Sequence, residues 1–69
     1  MIEVFKTNVE RSEQATKLID DLTQRFPLFV INFDLEDCDK ILRVKGKQVA
    51  PGKIISILNS KGYQCIVLD

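Results

Sequence analysis

Sixty-nine residues allow one domain, read as spanning 1–69, and a chain this short buries so little apolar surface that its stability margin is thin. Ten acids balance ten bases for zero net charge, and no basic block is present, which argues against a nucleic-acid or membrane-surface binder. Histidine is absent, and with it the usual general base near neutral pH and the commonest metal ligand.

From Met1 to Thr7, Ile2 and Val4 alternate with Glu3 and Lys6, with Phe5 on the second face, which predicts a first strand. Ala15, Leu18, Ile19, Leu22 and Phe26 then recur at helical spacing. Ser12 could cap that helix, or Asn8 a longer one. Pro27 ends it, because the residue before a proline disfavours helix. Leu28 to Asp34 reads as a second strand, Leu35 to Asp39 as an acidic connection, and Lys40 to Lys45 as a third strand broken by Gly46. Ala50-Pro51 starts a second helix with an apolar side of Ile54, Ile55, Ile57 and Leu58, and Gly62 suits the left-handed position that closes it. Tyr63 to Leu68 is the fourth strand.

The order βαββαβ, with right-handed crossovers and a central hairpin, predicts an α+β ferredoxin-like sandwich. Its four-stranded antiparallel sheet has strand order 4-1-3-2, with two helices on one face. That topology brings Thr7–Ser12, Leu35–Asp39 and Lys61–Tyr63 to one end, where a site is most cheaply built.

In the second half, Gly46, then Ala50-Pro51-Gly52-Lys53-Ile54-Ile55, then Gly62-Tyr63 is similar to the third strand, second helix and closing Gly-Tyr of the heavy-metal-associated domain. This is the small module of copper chaperones and metal-transporting ATPases. Element order and length resemble that family over nearly the whole chain. The family's metal motif is a pair of cysteines two residues apart on the first loop, where two thiolates can face one soft ion. The resemblance maps those positions onto Asn8 and Arg11, and no cysteine occurs from Thr7 to Ser12. Arginine is not a ligand and its fixed charge repels a cation. What the resemblance implies is therefore the scaffold, with no metal expected at this loop and no cofactor.

Cys38 lies in the acidic connection and offers a displaced thiolate ligand or redox thiol, although Asp34, Glu36, Asp37 and Asp39 nearby make a reactive thiolate less favourable. Cys65 reads as a small buried residue of the last strand. A bridge between them is not expected, because their strands lie three spacings or ~14 Å apart and a disulfide needs Cα atoms within ~7 Å. Both are read as reduced thiols of a cytosolic protein, since no signal core follows Met1 and no run nears the ~20 residues of a membrane span. If Ile2, Val4, Phe29, Ile31, Phe33, Leu42 and Val44 face the helices, then Phe5, Leu28, Val30 and Ile41 face away and form a candidate interface.

A third strand without aromatic residues argues against RNA recognition on this sheet. No nucleophile and base are arranged as an enzyme would require. The expected function is a non-catalytic binding module contacting a partner protein or another copy of itself. The alternatives are a metal carrier using Cys38 across a dimer, and a small-molecule sensor, which would need a glycine-bearing loop that is absent.

Overall fold

A computed structural model describes residues 1–68. The chain runs β1 (Ile2–Thr7), α1 (Ser12–Arg25), β2 (Val30–Asp34), β3 (Ile41–Lys45), α2 (Pro51–Ser60) and β4 (Cys65–Val67). The strands form one antiparallel sheet in the order β2-β3-β1-β4. This is the ferredoxin-like α+β arrangement expected from the element order. β2 and β4 are shorter than their apolar runs, because Leu28, Phe29, Tyr63 and Gln64 belong to the preceding loops.

The core lies between the sheet and the helices. Phe5, Val9, Leu18, Leu22, Leu42, Val44, Ile54 and Leu58 are fully buried there. Each such side chain contributes roughly 1.5–3 kcal/mol of transfer free energy. Phe29, Ile31 and Phe33 pack against this cluster from β2 and its approach, as the alternation of that segment predicts.

The first strand faces the opposite way from the expectation. Phe5 is 0% exposed and sits in the core, whereas Ile2 is 57% exposed. The register gives the reason. Phe5 pairs with Leu42 and Glu3 with Val44, and directly paired residues share a face of the sheet. Since Leu42 and Val44 look toward the helices, Phe5 must follow. Ile41 does lie on the open face, between Lys6 and Asp34, but it is buried and is not an exposed patch residue. Of the four candidate interface residues, Leu28 and Val30 are the two that solvent reaches.

The helix ends follow simple chemistry with one departure. Neither Ser12 nor Asn8 caps α1. Arg11 occupies the N-cap position, and its backbone N–H donates to the Gln14 side-chain oxygen at 3.2 Å. At the other end Phe26 stacks on Phe29, with centroids 5.1 Å apart and the rings inclined by 13°. Phe29 lies so close over Gly46 that a Cβ there would be 2.4 Å from its ring. Gly46 therefore serves close packing as well as strand termination. α2 begins at Pro51 and closes as expected, with Gly62 at φ +92° and the Tyr63 N–H donating to the Leu58 carbonyl at 3.0 Å.

Candidate functional site

The first loop, the β2–β3 connection and the approach to β4 do meet at one end of the sheet. Thr7 and Asn8 join them. The Thr7 hydroxyl donates to the Lys40 carbonyl at 2.6 Å and accepts from the Val9 N–H at 3.2 Å. The Thr7 N–H donates to the Asp39 carbonyl at 3.1 Å. The Asn8 side-chain oxygen accepts from the Gln64 N–H at 2.8 Å. Asn8 thus spends its best donor atom for a cation on the backbone of another segment. Arg11 is exposed and its guanidinium stands 4.0 Å from Glu13. Asn8 is a structural amide and Arg11 a solvated cation.

The acidic connection wraps the other side of this end. Asp37 accepts from the Asp39 N–H at 2.9 Å and Asp34 from the Glu36 N–H at 3.2 Å, so both carboxylates shape the turn. Lys40 completes it with φ +47° and donates its ammonium to the Leu35 carbonyl at 3.0 Å. Asp39 pairs with Lys6 and Asp34 with Arg43, each at 3.6 Å. Donor atoms of Asp37, Cys38 and Asp39 lie within 4.8 Å of one another, with Asp37 and Cys38 exposed. That is a mixed set of hard and soft donors without a buried wall to hold it.

Both cysteines are free thiols. Cys65 is buried on the helix-facing side, paired with Thr7, and burial pushes its thiol up to about 11. Lys61 does not join the acidic connection. It pairs with Asp21 of α1 at 3.1 Å, beside Arg25 at 3.3 Å. The hydrogen bond from Lys61 lowers the Asp21 carboxyl most; desolvation opposes it and Arg25 adds to the lowering. Next to this cluster is an open groove of about 520 Å³ lined by Glu13, Gln14, Lys17, Leu18, Lys61 and Tyr63, with charges of both signs.

The opposite end of the sheet is different in kind. The Gly46 N–H donates to the Met1 carbonyl at 3.0 Å, and Lys45 stands between Ile2 and Val30 across three adjacent strands. Among the described residues five large hydrophobics are exposed, and all but Ile66 gather here: Met1, Ile2, Leu28 at 91% and Val30 at 61%. A groove of about 660 Å³ beside them is lined by Leu28, Phe29, Lys47 and Gln48. Ile2, Lys45 and Lys47 escaped the sequence reading. The alternation places Ile2 on the core face, and a lone lysine in a strand carries no signal of what stands beside it.

No helix among the described residues is long and apolar enough to cross a membrane. Comparison with family models, with curated proteins and with solved structures returned no match.

Proposed function

We propose that this domain is a non-catalytic interaction module that docks through the exposed side chains where β1 and β2 begin. In this reading it keeps a scaffold similar to the heavy-metal-associated domain and has given its first loop over to structural hydrogen bonds. The observation that carries the reading is the convergence of Ile2, Leu28 and Val30 on one end of the sheet, each more than half exposed. Large apolar side chains exposed together at one end of a small domain commonly mark an interface. The hydroxyls of Thr7, Thr16 and Ser60 all donate to backbone carbonyls, which supports a structural use for them over a catalytic one.

Two measurements test it. Light scattering over a concentration series addresses a second copy as partner, and a monomer throughout removes that version. Capture from lysate by the wild type, compared with an Ile2→Ser, Val30→Ser double variant, addresses another protein. Equal capture by both removes this end as the docking surface.

A second reading rests on the proximity of Cys38 to two carboxylates. It makes the domain a carrier for a thiophilic ion through Cys38. Titration with Cu(I) or Zn²⁺ decides it, and binding that survives Cys38→Ser ends it.

A further inference from the structure

We infer that the partner at this docking end is a protein segment that interleaves apolar and acidic side chains; the inference rests on the interaction-module reading above. Lys45 is flanked on its own face by Ile2 and Val30, which its register places one strand away on either side, ~5 Å per strand. Lys47 lines the same groove as Leu28. Among the described residues Lys6, Arg11, Arg25, Arg43 and Lys61 have carboxylate partners, while Lys17, Lys40, Lys45, Lys47 and Lys53 have none; of these five, Lys45 and Lys47 are the two set beside exposed aliphatic side chains at this end. The open face here presents Ile2, Val4, Val30, Asn32, Arg43 and Lys45; Asp34 further along the same face matches Arg43, and Lys45 is left unmatched. Unpaired ammonium groups set between exposed aliphatic side chains select a partner of the opposite sign and the same apolar spacing.

The chain's own acidic connection does not meet that description. Its one aliphatic side chain, Leu35, packs against the core, and Asp34 and Asp39 already pair with Arg43 and Lys6. A second copy docking through the same end would cover Ile2, Leu28 and Val30 with their own counterparts, but it would set Lys45 and Lys47 against like charges. A different chain is the better fit.

The test uses the full chain, isotope-labelled, and two synthetic peptides with the same leucines, separated by glutamates in one and lysines in the other. The expected result is that the glutamate peptide alone shifts the amides of Ile2, Leu28, Val30, Lys45 and Lys47, less strongly as salt is raised. A Lys45→Glu, Lys47→Glu variant should change the preference between peptides by about tenfold toward the lysine peptide. Equal binding of both peptides, or shifts elsewhere, overturns the inference. If neither peptide binds while lysate capture still needs Ile2 and Val30, the docking end stands and the acidic partner falls. Shifts that follow protein concentration at this end and at Asp34–Asp39 together would make the occupant a second copy. Sedimentation with phosphatidylserine vesicles without peptide binding would make it a lipid surface. Either result replaces the partner proposed.

Discussion

The two ends of the sheet put their side chains to opposite use. At the end where the first loop begins, Thr7, Asn8 and Asp39 turn their polar atoms inward on the chain, and the backbone of three segments is tied together. At the other end Ile2, Leu28 and Val30 turn apolar surface outward beside two lysines without ion-pair partners among the described residues. The lesson is that the end where the topology gathers three connections is the one whose polar atoms are already committed within the chain. A loop whose donors are already satisfied has little left to offer a ligand, because displacing an internal hydrogen bond costs about as much as a new one contributes.

The contrast can be broken most forcefully inside β1. Phe5→Ala should cost about 3–5 kcal/mol in urea unfolding, since it empties a fully buried aromatic site. Ile2→Ser, three residues away, should stay within about 0.5 kcal/mol. Equal losses would mean that the faces of the strand are misassigned. At the closed end, Thr7→Val should cost about 1–3 kcal/mol, because it strands the Lys40 carbonyl and the Val9 N–H without their partner. Asn8→Ala removes only the exposed link to Gln64 and should cost about 1 kcal/mol.

Smaller effects sharpen the same picture. The Lys45→Glu, Lys47→Glu variant should change stability by no more than about 0.5 kcal/mol while altering docking, which separates binding from folding. On acidification, Asp21 carries a signed expectation. Its carboxyl is lowered in the folded protein, so its contribution is present above the ordinary carboxylate range and is lost as pH falls through the lowered value. Lys61→Met removes the leading cause, so stability should fall less steeply below about pH 4 in that variant, read by denaturant midpoints. Thiol reagents should distinguish the cysteines, with exposed Cys38 reacting in the folded protein and buried Cys65 only on unfolding.

Much of the architecture could be read from side-chain spacing. The stripe from Ala15 to Leu22 settled which face of α1 is buried, and Pro27, Gly46, Pro51 and Gly62 mark the joints between elements. The candidate site was less legible. Sequence position offers Asn8 as a helix cap, whereas its actual partner, Gln64, lies 56 residues away. One local signal was available: Phe5, Thr7 and Val9 continue a single buried phase of alternation from the strand into the loop.

The sequence by itself determined the order of strands and helices, because hydrophobic period and turn residues act over a few positions and need no distant partner. Tertiary structure decided which face of β1 looks inward, because each face mixes apolar and polar residues and the choice belongs to its pairing with Leu42 and Val44. It likewise decided that Lys45 stands between Ile2 and Val30, a neighbourhood made by three strands that are far apart along the chain. A pattern along one strand fixes two alternatives, and only the hydrogen-bonded register with its neighbours chooses between them.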